Sequence, residues 1–140
     1  MYRPTLLTAA ALLLAVSVVT TAHAEKLVLP VSLEGIERDK HRGKATEPRS
    51  AKTAAELREL LGEAAAAKFK GRMDFATHNF VLFQWAGSGQ DRITAVVKDG
   101  TAIFQYKRGR TRDLRQHRLG FAVKNGIKWR VETLPFGKLR

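Results

Sequence analysis

Asn79-Phe80-Val81-Leu82-Phe83-Gln84-Trp85 is an almost unbroken apolar run. Upstream the apolar residues recur at helical spacing; from Phe80 onward the period is that of strands, so Phe80 to Trp85 reads as a buried strand that anchors a sheet. Ile93 to Lys98 and Thr101 to Lys107 follow as two more strands, with Asp99-Gly100 as the tight turn between them. Arg118 to Lys124 and Ile127 to Glu132 form another pair across Asn125-Gly126. Two such turn signals predict an antiparallel meander of about five strands.

A helix precedes the run. Thr53-Ala54-Ala55-Glu56 has the spacing of a capping box, in which hydroxyl and carboxylate each satisfy a free amide at the helix start. Leu57, Leu60, Leu61, Ala64 and Ala65 then give the helix one apolar face. Gly62 is the position where it bends or breaks, since glycine costs about 1 kcal/mol relative to alanine inside a helix. Gly71 closes the tract, with Lys68, Lys70 and Arg72 where a helix C-terminus favours cations. The expected fold is therefore α+β: one amphipathic helix packed on a twisted antiparallel sheet.

Three segments are expected. Residues 1–24 read as a signal peptide: Arg3 is the charged start, Leu6 to Val19 the apolar core, and Ala22-His23-Ala24 the small-x-small cleavage site. The core falls short of the roughly 18 to 20 residues a membrane span needs, so no transmembrane anchor is expected once it is cleaved. Residues 25–52 read as an N-terminal edge strand, demoted to the edge by Pro30, followed by a mobile, charge-rich arm from Glu34 to Arg49. Residues 53–140 make a single domain. The expected location is outside the cytoplasm, periplasmic or extracellular.

The 140-residue chain carries a net charge of +12, and loss of Arg3 with the signal leaves +11 on the 116 residues that remain. Such a charge favours anionic partners without choosing among them. The absence of cysteine excludes disulfides, thiol catalysis and cysteine-ligated metals.

The order of helix, Met73-Asp74-Phe75, apolar strand, glycine-containing turn and antiparallel hairpins resembles small exported bacterial domains typified by the C-terminal domain of a protease-complex subunit. The resemblance covers roughly Thr53 to Tyr106, chiefly through Leu57, Asp74 and Phe75, and implies an interaction subunit without a catalytic residue. The Gly-Gly-Tyr-like turn usual in that group is missing. Trp85-Ala86-Gly87-Ser88-Gly89-Gln90-Asp91 also looks like the Trp-x-Gly-Ser-Gly-x-Asp turn of other small exported bacterial proteins.

Two groups of residues carry candidate chemistry. The stronger is basic: Lys107, Arg108, Arg110, Arg112, Arg115 and Arg118 against Asp113 give +5 within twelve residues. Five of the six are arginine, which grips phosphate, sulfate or carboxylate in two-pronged fashion. The opposing reading is a solvated hairpin that aids solubility. The second group is the turn itself, with Trp85, Gly87, Ser88, Gly89 and Asp91, joined by Asp113 and His117. Ser88 fails the Gly-x-Ser-x-Gly pattern, because Ala86 and Gln90 stand where glycines belong, and a strand rather than a helix follows. A metal site would draw on His41, His78, His117, Asp74, Asp91 and Asp113, but only Asp113 and His117 stand at i, i+4, and a solvated pair explains them as well. No cofactor motif is present.

The functional expectation is a small exported, non-enzymatic module whose Arg-rich hairpin meets an envelope polymer, an anionic lipid surface or an acidic protein, with nucleic acid ranked behind these. The alternatives are a small hydrolase-like enzyme centred on the Gly-Ser-Gly turn and an interaction subunit of an envelope protein complex.

Overall fold

The computed structural model describes residues 26–37 and 43–135; the expected signal segment and His41 lie outside them. The elements are β1 (Val28–Val31), β2 (Arg49–Ala51), α1 (Ala54–Leu61), α2 (Glu63–Lys68), β3 (His78–Ser88), β4 (Arg92–Lys98), β5 (Thr101–Lys107), β6 (Leu114–Lys124) and β7 (Lys128–Thr133). The α+β class holds, but the strands form two sheets rather than one meander. A four-stranded antiparallel sheet has the order β1-β6-β3-β2, and a three-stranded sheet has the order β4-β5-β7. In the second sheet β4 and β5 are antiparallel, whereas β5 and β7 are parallel.

The residues of β3 explain the two-sheet outcome. Side chains alternate across a strand, so an apolar run without alternation has two faces to cover. Phe80 and Leu82 face the helices, where they meet Leu57, Ala65 and Phe69. Val81, Phe83 and Trp85 face the second sheet, where they meet Ile93, Ala102 and Phe104. β6, paired with β3 along its whole length from His78↔Lys124 to Ser88↔Leu114, divides in the same way: Ala122 packs with the helices, and Phe121 and Val123 with the second sheet. One helix on one sheet would have left half of this surface in water. The rings of Phe83, Phe104 and Phe121 lie 5.0 to 5.9 Å apart and join the sheets. Gly120 carries no side chain because a Cβ there would stand 2.9 Å from the Phe80 ring.

The helical tract is two helices. Thr53 Oγ1 accepts from the Glu56 amide at 3.1 Å and Glu56 Oε2 accepts from the Lys52 amide at 2.7 Å, which fixes the start of α1. Gly62, at φ 84 and ψ 158, separates α1 from α2 in a conformation that only glycine adopts readily. Asp99 and Gly100 both take positive φ, 49 and 69, as a two-residue hairpin turn requires. Asn125-Gly126 is not such a turn: it carries the chain from β6 in one sheet to β7 in the other, and Asn125 is tied back to the Thr77 carbonyl at 2.8 Å.

The segment expected as a mobile arm is partly built into the core. Ile36 and Ala45 are buried, β2 pairs with β3, and Gly43 bridges to Trp85. Arg72 donates to the carbonyls of Ser32 and Glu34, both at 2.8 Å, and so anchors the chain after β1. Among the described residues no helix is long and apolar enough to cross a membrane.

Candidate functional site

β3 and β6 run on together past the ends of β1 and β2, pairing Gln84–Ser88 with Leu114–Arg118. Around this protruding ladder converge the turn from β3 to β4, the β5–β6 connection and the segment after Gly43. They enclose an open cleft of about 1020 Å³. Its charged and hydroxyl lining includes Lys44, Thr46, Ser88, Arg108, Arg110 and Arg112.

Asp91 organises the site. It is 3 % exposed and accepts three hydrogen bonds: from the Gly109 amide at 2.7 Å, from Trp85 Nε1 at 2.9 Å and from the Tyr106 hydroxyl at 3.0 Å. Burial alone would raise its pKa. The bonds from Gly109, Trp85 and Tyr106, with the nearby His117, outweigh burial and hold it below the ordinary carboxylate value. Burial, joined by the same contact with Asp91, pushes the Tyr106 hydroxyl up to about 12.

Further bonds sew the loops together. Ser88 Oγ lies 2.6 Å from Thr111 Oγ1 and accepts from the Gln90 amide at 3.2 Å. Asp113 accepts from the Gly89 amide at 3.1 Å and from Arg115 Nε at 2.7 Å. Hydrogen bonds from Thr111, Arg115 and Gly89, in that order of weight, pull the Asp113 pKa down to about 2. The glycines are required by space: a Cβ on Gly87 would strike the Asp91 carboxylate, one on Gly89 the Asp113 carboxylate, and one on Gly109 the Ser88 hydroxyl.

The two groups of residues singled out in the sequence thus belong to one structure. The Arg-rich segment is a connection between sheets rather than a hairpin, since β5 and β6 do not pair. Its six cations have different surroundings. Arg108, Arg110 and Arg112 are exposed and line the cleft. Arg115 is bonded to Asp113, and Arg118 reaches the carbonyls of Ile36 and Glu37 at 3.1 and 2.9 Å. Lys107 stands opposite Arg92 on the second sheet. Lys44, Thr46 and Thr111 join the cleft without any local signal in the sequence; only the Gly43 bridge to Trp85 brings the first two there.

Ser88 and His117 do meet, but not as nucleophile and base. His117 Nε2 lies 2.7 Å from the Ser88 carbonyl oxygen, to which it donates, and the imidazole stacks on Trp85 with ring centres 4.6 Å apart. The serine hydroxyl bonds Thr111 instead. Asp113 and His117 share no helix face: one precedes β6 and the other lies within it. Asp74 accepts from the Ala76 amide at 2.8 Å and His78 Nδ1 lies 2.8 Å from the Thr77 hydroxyl, both away from the cleft. Among the described residues no three His, Asp or Glu side chains gather as a metal site would need.

No protein-family model, curated protein or solved structure matches the chain.

Proposed function

We propose that this chain is an exported, non-catalytic binding module that holds an anionic partner against Arg108, Arg110 and Arg112 in the cleft beside β3 and β6. One observation carries the reading. The two carboxylates beside these arginines, Asp91 and Asp113, are committed to loop amides, to Trp85 and Tyr106, and to Arg115. Those bonds fix the loop that presents the three arginines to the cleft. A braced loop also loses little entropy on binding, which is how preorganisation raises affinity. Envelope polymers and acidic proteins are the partner classes that fit this cleft, and the reading of residues 1–24 as a cleavable signal supports export.

The test is binding of the full chain to anionic polymers, glycans and acidic peptides at low and at about 0.15 M salt. It is run beside a Arg108→Glu/Arg110→Glu/Arg112→Glu variant. Binding that persists at the higher salt, prefers one ligand and vanishes in the variant is expected. Binding of equal strength in the variant would refute the assignment. The hydrolase-like alternative is favoured only by the convergence of Ser88, Asp91, Asp113 and His117. It requires His117 to exchange the Ser88 carbonyl for the hydroxyl. Labelling of Ser88 by a serine-directed phosphonylating probe would establish that alternative in place of the binding module.

A further inference from the structure

The outer face of the three-stranded sheet has a charge pattern that folding does not explain. Alternation along β4, β5 and β7 sends Ile93, Ala95, Ala102, Phe104, Tyr106, Trp129 and Val131 inward to the core between the sheets. The residues between them face outward. Five of these are cations, Arg92, Lys98, Lys107, Lys128 and Arg130, against the single acid Glu132. Only Arg130 is paired, with Glu132 at 2.6 Å; among the described residues the other four have no ion pair or hydrogen bond through the side chain.

Their placement in the register is the decisive feature. Arg92 stands directly opposite Lys107 at one end of the face. At the other end Lys98 and Lys128 flank Thr101 from its two sides. Like charges directly across a sheet destabilise it. Between these ends lie Ile103, only 4 % exposed, and Val96 at 38 %. The face thus carries unpaired cations at both ends, with Thr94, Gln105, the Arg130–Glu132 pair and the exposed apolar Val96 between them.

We propose that this face docks on an anionic phospholipid bilayer. Size argues against a folded protein partner. Strands of seven, seven and six residues, about 4.8 Å apart, cover roughly 23 by 14 Å, about 320 Å², well below the roughly 800 Å² per partner of a stable protein interface. A charged bilayer needs no such area, because each lysine or arginine near it adds attraction without shape complementarity. No outward position on these strands is aromatic, so the face lacks the stacking platform by which single-stranded nucleic acid is held. The surface is distinct from the cleft and independent of the function proposed for it. Lys107 and Arg108 are neighbours in sequence, yet the first belongs to the sheet face and the second to the loop.

The experiment is co-sedimentation of the full chain with vesicles of phosphatidylcholine, alone or with about 30 % phosphatidylglycerol, at about 0.1 M salt. The readout is the ratio of anionic to neutral binding, which removes any contribution common to both vesicles. Three proteins are compared: the natural chain, Arg92→Gln/Lys98→Gln/Lys128→Gln on the face, and Arg108→Gln/Arg110→Gln/Arg112→Gln on the loop. Loss of the three face charges is expected to lower the ratio about a hundredfold, and loss of the three loop charges by no more than about threefold. Equal losses in the two variants would mean that net charge alone is being read, and would overturn the assignment. So would an unchanged ratio in the face variant, or face-dependent binding of a single-stranded oligonucleotide with none to vesicles. Relief of the Arg92–Lys107 repulsion should raise the melting midpoint of Arg92→Gln while its vesicle binding falls. The Lys98→Gln/Lys128→Gln pair repeats the test at the other end of the face. A failed cleft leaves these results unchanged, and a failed face leaves loop-dependent binding of soluble polyanions intact.

Discussion

Replacing Asp91 by alanine removes one acceptor from three donors at once. Trp85, 3 % exposed, then has no partner, while the Gly109 amide and the half-buried Tyr106 hydroxyl line the open cleft and can be met by water. A buried donor left unsatisfied costs about 1 to 3 kcal/mol. One such donor plus smaller losses at Gly109 and Tyr106 give about 2 to 4 kcal/mol, a large share of the roughly 5 to 15 kcal/mol that keeps a domain folded. Asp91→Asn should cost about 2 kcal/mol, because its single carbonyl oxygen can serve Trp85 and Tyr106 or Gly109 but not all three. Urea unfolding followed by the fluorescence of Trp85 and Trp129 measures both, provided the slope of the transition is unchanged. A companion change isolates the mechanism. Trp85→Phe should cost less when Asp91 is already alanine than in the natural chain, since the indole N–H it removes is then unsatisfied, whereas the loss of packing is common to both. A loss below about 1 kcal/mol for Asp91→Ala would refute the reasoning, as would additive costs for the pair.

Gly109→Ala should destabilise by about 1 to 3 kcal/mol, because the new methyl would meet the Ser88 hydroxyl and stand 2.7 Å from the Gln90 backbone carbon. The shifted loop should also weaken polyanion binding, measured by titration calorimetry. On the acid side, Asp91 and Asp113 both have folded pKa values below the unfolded one. Their stabilisation is complete above about pH 4 and drains as the pH falls toward the Asp113 value of about 2. Melting midpoints across this window should fall, less steeply for Asp113→Asn. On the alkaline side Tyr106 has a raised pKa, so its contribution is full below about pH 10 and lost as the pH rises through about 12. Absorbance titration of phenolate formation should show Tyr106 ionising well above the ordinary phenol value of about 10.

Some of this architecture was legible along the chain and some was not, for reasons visible at particular residues. Thr53 and Glu56 meet within one helical turn, and Asp99-Gly100 closes a hairpin by its own backbone preference, so local chemistry sufficed for both. Asn125-Gly126 carries the same local preference but joins strands of different sheets, because what lies beyond the turn is decided by distant packing. Alternation told which side of a strand is apolar. It could not tell which layer the strand joins: Phe104 and Phe121 pack together from opposite sheets with the periodicity they would show in one. The charge of the Arg-rich segment was equally plain. The brace beneath it was not, since Asp91 and the Gly109 amide it holds are 18 positions apart.

The chain visits the two sheets in alternation: β3 in the first, β4 and β5 in the second, β6 back in the first and β7 in the second again. A growing polypeptide that has emerged only as far as Lys107 therefore owns no finished layer. The first sheet still lacks the strand that joins β1 to β3, and the second lacks its parallel edge. Cooperative closure must wait until β6 and β7 are made, and the loop-closure entropy of these distant pairings makes it slow as well. Neither layer can therefore form ahead of the other, and the two sheets close as one cooperative unit.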